Sequence, residues 1–437
     1  MTFWRGAPQG KTAPICCIRI IMTYDLSIIG SGWAGFNAAI AAARLGKTVC
    51  LIEEKEIGGT CLNRGCIPTK VFVAESKKNS SLQEIQKKKT EVISRLSQGM
   101  NYLLKSHNIT WIQGRGVLLG PGAVSVEGKG EFRSKFVLLA TGSQPRELSQ
   151  KSLDHQRVVS SDDVLNWQVV PKTLLIVGGG FIGCEFASIF CRLGAQVTVV
   201  EMLDRLLPNM DQDLGKKLAQ AFQKQGIKVM LKTGLEQAGP DAYEKVLIAV
   251  GRKSRFEDVC ASSCSLHAEK GAIGADRTLA TNMKHVFAAG DCVGGYLLAH
   301  VAAYEGELAV SNMFQKAQNR DYSAIPSSVF TTPEVSSVGL TEQEAKAFGA
   351  DYEVKTIFYL SLGMAHVLGD TQGFVKVVAD KRKKLILGVG IFGLEATELV
   401  NLFSVIIKNK IVIPDLKRTI FAHPSLSEIV AEIARAF

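Results

Sequence analysis

The chain has 437 residues, a length that suggests about three domains of roughly 150 residues each. Its apolar share of 46% and charged share of 21% are typical of a globular protein with a large core. No apolar run approaches the roughly 20 residues that cross a bilayer, so we expect no membrane partner. The net charge of +10 is dispersed and its densest clusters lack aromatic neighbours, so we expect no nucleic-acid partner either.

Residues 1–21 do not share the periodic pattern that begins at Met22. This leader contains two arginines and no serine, unlike a mitochondrial presequence, and Arg19 interrupts the apolar stretch that a secretory signal would need. We therefore expect a disordered extension or a misplaced start codon. Ten cysteines are too few for a secreted disulfide scaffold and favour a reducing compartment. Because the leader is unlike a mitochondrial presequence, we expect the bacterial cytoplasm rather than the mitochondrial matrix.

The first predicted nucleotide-binding unit begins with the short apolar strand at residues 26–30. Gly30, Gly32 and Gly35 follow in the spacing GxGxxG, and an alanine-rich helix leads to a second strand that ends at Glu53. The first glycine allows a tight turn, the second lets a pyrophosphate approach the backbone, and the third lets helix and strand pack closely. Glu53 can accept a hydrogen bond from a ribose hydroxyl.

Two cysteines five residues apart, Cys61 and Cys66, follow this unit. A regular helix would separate their Cα atoms by about 8.6 Å, whereas a disulfide prefers roughly 4.4–6.8 Å. If the two cysteines pair, the segment must distort, and Gly65 and Pro68 permit or force such a distortion. Because a distorted disulfide is easily reduced, the pair is predicted to be a redox centre.

The same nucleotide-binding design recurs at residues 174–201. Gly178, Gly180 and Gly183 repeat the spacing, and Glu201 follows the first glycine by 23 residues, as Glu53 does in the first unit. One such fingerprint is weak evidence, since many glycine-rich turns share it. Two copies, each between a strand and a helix and each with its acid, predict two bound dinucleotides.

The acid of the second unit indicates which nicotinamide cofactor binds there. The carboxylate of Glu201 suits the free 2′-hydroxyl of NAD and repels the 2′-phosphate of NADP. Arg205, four positions on, weakens this argument because arginine is the usual partner of that phosphate. NAD is favoured, and NADP remains the alternative.

Three further segments predict strands of the two sheets. Residues 284–291 form an apolar run that ends at Asp291, whose side chain can bind a ribityl hydroxyl of a flavin or cap the next helix. Residues 136–143 and 246–252 are strand-then-glycine segments that close the first and second units respectively.

Five segments together resemble a known family. They are residues 58–70, 289–291, 298–306, 330–339 and 423–428. The chain resembles the flavoprotein disulfide reductases, and within them the dihydrolipoamide dehydrogenases, from about Tyr24 to near its end. The resemblance implies an α/β fold with two Rossmann-like dinucleotide-binding domains, for FAD and NAD, and a C-terminal α+β dimerisation domain.

The resemblance also implies domain boundaries and cofactor contacts. The FAD domain would comprise residues 22–150 and 266–321, with the NAD domain at 151–265 and the interface domain at 322–437. Lys70 would lie beside the flavin and pair with Glu185 of the NAD domain. The implied cofactor-binding residues are Gly30, Gly32, Gly35, Glu53, Lys70, Gly116, Thr141, Gly142, Ser143, Asp291, Leu298, Ala299, His300, Gly178, Gly180, Gly183, Glu185, Glu201 and Gly251.

Four residues would be catalytic by this resemblance. Cys61 would exchange disulfides with the substrate, and Cys66 would face the flavin. His423 of the other subunit would be the base, oriented by Glu428, which implies a homodimer. A base is chemically required, because a thiol with a pKa near 8.5 is mostly protonated at neutral pH. No set of residues with metal-ligand spacing accompanies them.

The implied activity is oxidation of protein-bound dihydrolipoamide with reduction of NAD⁺. The implied partners are the lipoyl domains and the core of 2-oxoacid dehydrogenase complexes. An NADPH-dependent reductase of glutathione or another disulfide is the alternative enzyme, and Glu201 counts against it. A flavin-bearing assembly subunit with impaired NAD turnover is the other alternative. It is suggested by the short stretch between residues 226 and 245, where the family usually has a β-meander.

Overall fold

The computed structural model describes residues 23–149, 152–262 and 264–437, so the leader expected at 1–21 lies outside the described residues. The strands are β1 (Thr23–Ile29), β2 (Val49–Glu53), β3 (Thr110–Gln113), β4 (Gly116–Gly120), β5 (Ala123–Val126), β6 (Gly130–Leu139), β7 (Ser143–Pro145), β8 (Val158–Val159), β9 (Thr173–Val177), β10 (Gln196–Glu201), β11 (Lys228–Leu231), β12 (Lys245–Ile248), β13 (Arg252–Ser254), β14 (Ala268–Glu269), β15 (Ala272–Ile273), β16 (Val286–Ala288), β17 (Ser327–Val329), β18 (Glu334–Gly339), β19 (Tyr352–Phe358), β20 (Phe374–Asp380) and β21 (Ile386–Gly393).

Strands and helices alternate at the start of the first unit and through the second, whereas in the third unit α9 and α10 lie between strands and the last three helices follow them. They are α1 (Trp33–Arg44), α2 (Gly59–Arg64), α3 (Cys66–Ser76), α4 (Leu82–Ser106), α5 (Ser161–Val164), α6 (Phe181–Arg192), α7 (Gln212–Lys224), α8 (Ala299–Phe314), α9 (Glu342–Ala347), α10 (Gly363–Val367), α11 (Ala396–Lys408), α12 (Ile413–Arg418) and α13 (Ile429–Ala436). Short 3₁₀ turns lie at Glu236–Ala238, Pro240–Ala242, Asp291–Val293, Tyr359–Ser361 and Leu426–Glu428. No helix in the described ranges is long and apolar enough to span a bilayer.

The first sheet has the strand order β3-β2-β1-β6-β5-β4, with β16 beside the second half of β6. The five strands β3, β2, β1, β6 and β16 run parallel to one another, whereas β4 and β5 form an antiparallel meander with the first half of β6. Leu26, Ile28 and Leu51 are fully buried, because helices cover the parallel part of the sheet. The strand predicted before Asp291 is β16, which pairs with β6 as expected.

The second sheet has five parallel strands in the order β11-β10-β9-β12-β8. Between β11 and β12 the described chain forms two 3₁₀ turns and no further strand, while the shortening relative to the family stays a prediction. Arg157 holds this turn by donating to the carbonyl oxygen of Pro240 at 2.7 Å, and the Tyr243 hydroxyl donates to Thr198 on β10 at 3.0 Å. The short turn therefore packs on the sheet itself.

The third sheet is antiparallel, in the order β17-β18-β21-β20-β19, and α11 packs against β18 and β21. A buried ion cluster joins it to the second unit: Lys376 on β20 lies 3.0 Å from Asp211 and 2.7 Å from Asp213 at the start of α7. The predicted fold class, two Rossmann-like units and a C-terminal α+β domain, is confirmed. The residue boundaries of the domains stay predictions.

Candidate active site

A cavity of about 540 Å³ lies where the carboxyl ends of the first sheet meet α2, α3 and α6. Such an edge of a parallel sheet is where dinucleotides bind. Most of the site residues expected from the sequence line it. They are Gly30, Gly32, Glu53, Cys61, Cys66, Lys70, Gly116, Thr141, Gly142, Ser143, Glu185, Asp291, Leu298 and Ala299.

The first glycine fingerprint has the shape that a pyrophosphate needs. Gly30 has φ +103°, and a Cβ there would lie 2.2 Å from the carbonyl oxygen of Ala140. A Cβ on Gly35 would lie 1.8 Å from the carbonyl oxygen of Gly30. At Gly32, by contrast, a Cβ would meet no described atom within 4 Å, and this glycine lines the cavity at the N-terminus of α1. These residues fit the diphosphate of FAD.

Glu53 at the end of β2 shapes this loop. Its Oε2 accepts hydrogen bonds from the backbone N–H of Ser31 at 2.8 Å and from the Ser31 hydroxyl at 2.9 Å. Its Oε1 accepts one from the N–H of Lys55 at 2.9 Å. A carboxylate oxygen can accept two hydrogen bonds, so Oε1 keeps capacity for a ribose hydroxyl, as the predicted role requires.

The second fingerprint repeats this geometry outside the cavity lining. Gly178 has φ +110°, a Cβ on Gly183 would lie 2.0 Å from the Gly178 carbonyl oxygen, and a Cβ on Gly180 would meet no described atom within 4 Å. Glu201 accepts from the N–H of Gly179 at 2.7 Å and of Leu203 at 2.8 Å. The residues therefore fit a second dinucleotide. Gly251, exposed at φ +102°, also lies outside the cavity lining.

The redox segment is distorted at the glycine singled out from the sequence. Helix α2 ends at Arg64 and α3 begins at Cys66, with Gly65 between them at φ −140° and ψ −114°. Pro68 lies in the first turn of α3. Backbone N–H groups there have no partner within the helix, so a proline at this position costs no hydrogen bond. The break replaces the continuous helix that would hold the two cysteines apart. Both cysteines are free thiols that line the cavity, and each alters the pKa of the other.

The two thiols differ in their readiness to lose a proton. The hydrogen bond from Cys61, together with the nearby charge of Lys70, lowers the pKa of Cys66 to about 7. The same bond to Cys66, with burial, raises the pKa of Cys61. Two adjacent thiolates would repel each other, so only one of the two cysteines loses its proton readily. The thiolate therefore resides on Cys66, and Cys61 keeps its proton.

Lys70 connects the redox segment to the other two units. Its Nζ lies 2.9 Å from both carboxylate oxygens of Glu185 on α6, which is the ion pair expected from the sequence. It also lies 4.4 Å from the centre of the Phe330 ring, whose backbone N–H donates to Glu185 at 3.0 Å. Phe330 was not among the expected site residues.

Asp291 is held by a chain of hydrogen bonds from the second unit. The Ser143 hydroxyl donates to Asp291 at 2.5 Å, and Arg252 donates to the Ser143 hydroxyl and carbonyl at 2.8 Å each. Burial raises the pKa of Asp291, and the Ser143 bond opposes that rise. Sequence reasoning missed Arg252. An arginine directly after the closing Gly251 was the available signal, but its partner Ser143 lies 109 residues away.

The expected histidines do not line the cavity in the part of the chain that the structure describes. His300 Nε2 lies 2.9 Å from the carbonyl oxygen of Pro326. His423 Nδ1 lies 3.0 Å from Glu428, which also accepts from the N–H of Ser425, and the His423 side chain is 77% exposed. The bond with His423, followed by that from Ser425, lowers the pKa of Glu428. The dyad is thus formed, while the roles of His300 and His423 stay predictions.

Residues 24–306 match the family described as pyridine nucleotide-disulphide oxidoreductase, and residues 325–434 match its dimerisation domain. Dihydrolipoyl dehydrogenase of Chlamydia muridarum is 34% identical over 447 residues, covering 94% of this chain and 96% of that protein. Dihydrolipoyl dehydrogenase of Bacillus subtilis is 34% identical over 462 residues, covering 94% and 98%. Leghemoglobin reductase of Glycine max is 33% identical, covering 100% and 90%.

A solved structure of the same fold is the Cu(II) complex of the HOCl-induced flavoprotein disulfide reductase RclA from Escherichia coli. It has a TM-score of 0.88 and 28% identity, and the match covers 95% of this chain and all of that one. The family and its dihydrolipoyl dehydrogenases use FAD and NAD(H), so both expected cofactors are confirmed. The chain therefore belongs to the pyridine nucleotide-disulphide oxidoreductases, as an FAD- and NAD-binding oxidoreductase similar to the dihydrolipoyl dehydrogenases.

Proposed function

We propose that this protein is a dihydrolipoyl dehydrogenase, which oxidises protein-bound dihydrolipoyl groups and reduces NAD⁺. The observation that carries the proposal is that two free thiols, Cys61 and Cys66, line one cavity together with the first fingerprint. The relatives named dihydrolipoyl dehydrogenase support the choice of substrate, because they match nearly the full chain.

The exchange begins with the Cys61–Cys66 disulfide. A thiolate of the substrate attacks Cys61, forming a mixed disulfide and releasing Cys66 as the thiolate that Lys70 stabilises. The second substrate sulfur then attacks the first, so that the cyclic lipoyl disulfide forms and the electron pair of the broken bond returns to Cys61. The proton removed from the substrate goes to the base, proposed to be His423 of the partner subunit with Glu428 orienting its ring.

Each of the two glycine fingerprints is proposed to bind one cofactor, the first FAD and the second NAD. Gly30, Gly32 and Glu53 would hold FAD, and Lys70 with Glu185 would orient the ring system beside Cys66. Bound FAD supplies a two-electron acceptor that passes a hydride on to NAD⁺. These residues keep the thiolate, the flavin site and the first turn of α6 in one enclosed space.

The surroundings of Glu201 support NAD over NADP. Its carboxylate stands at the end of β10, where a 2′-phosphate would be repelled. Arg205 is engaged elsewhere, 3.0 Å from Asp204 and donating to the carbonyl oxygen of Pro208 at 3.3 Å. The guanidinium that weakened the sequence argument thus has other partners.

The family's dimerisation domain supports a homodimer, and the proposed catalytic site takes its base from the second copy. The proposed partners are lipoyl domains and the core of 2-oxoacid dehydrogenase complexes. The cytoplasm is the proposed location, in keeping with the bacterial relatives.

A second candidate is a flavin-bearing assembly subunit with impaired NAD turnover. The two 3₁₀ turns between β11 and β12, where a meander is expected from the family, favour it, because a missing meander would reduce the unit that holds NAD. The intact second fingerprint opposes it.

Steady-state assays of the FAD-loaded protein test the proposal. We expect dihydrolipoamide to reduce NAD⁺ at a typical enzymatic rate of about 1–1,000 per second. NADP⁺ should be reduced at least about tenfold more slowly, because a single unfavourable charge contact with its 2′-phosphate is enough for a tenfold difference in rate. The control is Cys61→Ser, which should bind FAD and show no turnover. If the protein reduces glutathione disulfide with NADPH and does not oxidise dihydrolipoamide, the proposal is contradicted. If it is inactive with every combination of disulfide or dithiol substrate and nicotinamide cofactor, the assembly subunit is favoured.

A further inference from the structure

A two-stranded ribbon joins the two nucleotide units. Strand β7, which follows β6 of the first sheet, pairs antiparallel with β13, which follows β12 of the second. The backbone N–H of Arg146 donates to the carbonyl oxygen of Gly251 at 3.0 Å. At the other end of the ribbon the N–H of Arg255 donates to the carbonyl oxygen of Gly142 at 2.9 Å. Backbone bonds therefore hold the ribbon together, and the side chain of Arg252 on β13 has a separate task.

The guanidinium of Arg252 is directed at one residue of the first unit. The Arg252 side chain is only 12% exposed and lines the cavity beside Ser143 and Asp291. Its Nε donates to the Ser143 hydroxyl and its Nη2 to the Ser143 carbonyl oxygen, each at 2.8 Å. The remaining nitrogen, Nη1, lies 4.0 Å from a carboxylate oxygen of Asp162. Two of the three guanidinium nitrogens thus fix Ser143.

This contact determines where the Ser143 hydroxyl hydrogen points. A guanidinium can only donate, so the hydroxyl oxygen must be the acceptor in the bond with Arg252. The hydroxyl has a single hydrogen, which is therefore left for Asp291, whose Oδ2 lies 2.5 Å away. An ionised carboxylate has about four acceptor positions, so Asp291 can accept from Ser143 and from a ribityl hydroxyl of FAD at the same time.

The other neighbours of Asp291 do not favour its ionised form. Burial disfavours a charge there, and the carboxylate of Glu305 accepts from the backbone N–H of Gly290, directly before Asp291, at 2.6 Å. Two carboxylates this close oppose each other's ionisation. The positive charge of Arg252 favours the ionised form of Asp291. Arg252 therefore supports Asp291 as an acceptor both through Ser143 and through its charge.

We propose that Arg252 is a positioning residue for FAD, which directs the Ser143 hydroxyl to Asp291 and so keeps that carboxylate ready to accept a hydrogen bond from the ribityl chain. Arg252 lies on the strand that follows the second sheet, whereas Asp291 lies in the first unit. Retention of FAD by the first unit thus depends on a side chain supplied by the second. The inference rests on the predicted contact of Asp291 with FAD and requires no particular dithiol substrate.

The dissociation constant of FAD tests this role in the full-length, FAD-loaded protein. Free FAD is measured by its absorbance after ultrafiltration over a series of protein concentrations. Arg252→Lys keeps a group that can only donate, whereas the amide of Arg252→Gln offers an oxygen to which the Ser143 hydroxyl can turn instead. Both changes are also made in a Ser143→Ala background. Arg157→Gln is the matched control, because Arg157 binds the Pro240 carbonyl oxygen within the second unit.

We expect Arg252→Gln to raise the dissociation constant of FAD by about tenfold, since hydrogen bonds to charged groups have about that strength. Arg252→Lys should stay closer to the parent than to Arg252→Gln, and Arg157→Gln should match the parent. In the Ser143→Ala background Arg252→Gln should have no further effect, because the hydroxyl that Arg252 orients is gone. If Arg252→Gln does not fold, Arg252→Met, which removes every donor, replaces it.

Three results would overturn the inference. They are an unchanged dissociation constant in Arg252→Gln, an equal loss of affinity in Arg252→Lys and Arg252→Gln, and a full additional loss when Arg252→Gln is combined with Ser143→Ala. The last result would mean that Arg252 acts on FAD or on the ribbon without Ser143. Because no dithiol is used, the measurement is independent of whether dihydrolipoamide is oxidised.

Discussion

At the scale of single residues, the chemistry rests on an asymmetry between two neighbouring thiols. The hydrogen bond from Cys61 and the field of Lys70 favour a thiolate on Cys66, whereas the bond to Cys66, followed by burial, disfavours a thiolate on Cys61. The charge therefore resides on Cys66, the sulfur whose thiolate Lys70 stabilises. The sulfur left protonated is the one proposed to exchange with the substrate.

This asymmetry predicts a pH dependence of Cys66 in the reduced protein. Its pKa is lowered to about 7, so the thiolate predominates above pH 7 and is lost as the pH falls below it. Alkylation at Cys66, read from its tryptic peptide, should therefore rise to half its plateau near pH 7. Lys70→Met should move this midpoint upward, because it removes a positive charge that favours the thiolate. A midpoint near pH 9 in the unaltered protein would contradict the assignment.

At the scale of elements, the two nucleotide units pack their first helix against their first strand in the same way. In each, the third glycine of the fingerprint lets the helix approach the carbonyl oxygen of the first glycine. A Cβ would lie 1.8 Å from that oxygen at Gly35 and 2.0 Å at Gly183. Contacts this short force the helix away from the strand, and each unit would lose its own cofactor site.

The paired variants Gly35→Ala and Gly183→Ala should therefore separate the two cofactors. Gly35→Ala should be purified without flavin absorbance, whereas Gly183→Ala should keep its flavin and raise the KM for NAD⁺ by at least about tenfold, as expected for a lost helix–phosphate contact. Gly99→Ala is the control, because a Cβ there would meet no described atom within 4 Å. It should stabilise α4 by up to about 1 kcal/mol. Loss of flavin in Gly183→Ala would contradict the assignment of the second unit.

The elements that sequence reasoning predicted are those with a local signature. Glycine spacing, apolar strands and the closing acids predict both units, and Gly65 between the cysteines predicts the break of the helix. The contacts that it missed join residues far apart in the chain, such as Arg252 with Ser143 and Phe330 with Lys70. His300 shows the converse: its motif was recognised, but the fold turns its ring towards Pro326. Such pairings depend on how whole units pack.

At the scale of the whole molecule, the proposed site is complete only in a dimer. Within one chain the His423–Glu428 dyad is exposed and does not line the cavity that holds Cys61. The family's dimerisation domain spans residues 325–434 and includes both members of the dyad. A base for dithiol attack is thus proposed to reach Cys61 across the subunit interface.

Mixed dimers test that arrangement. A heterodimer of one Cys61→Ser chain and one His423→Ala chain, isolated with two affinity tags, would contain one site with both residues intact if His423 acts in trans. It should regain about half of the activity of the unaltered dimer, while each mutant homodimer stays nearly inactive. If His423 acts within its own chain, neither site is complete and the heterodimer should be as inactive as the homodimers.

The central claim is that a dithiol substrate, the Cys61–Cys66 pair and the flavin form one electron path to NAD⁺. Anaerobic titration of the FAD-loaded protein with dihydrolipoamide tests it most directly, with the flavin spectrum as the readout. The account predicts that about one equivalent per subunit changes the flavin spectrum, that added NAD⁺ reverses the change with formation of NADH, and that Cys61→Ser abolishes it. A flavin spectrum that dihydrolipoamide leaves unaltered, or that responds equally in Cys61→Ser, would contradict the account.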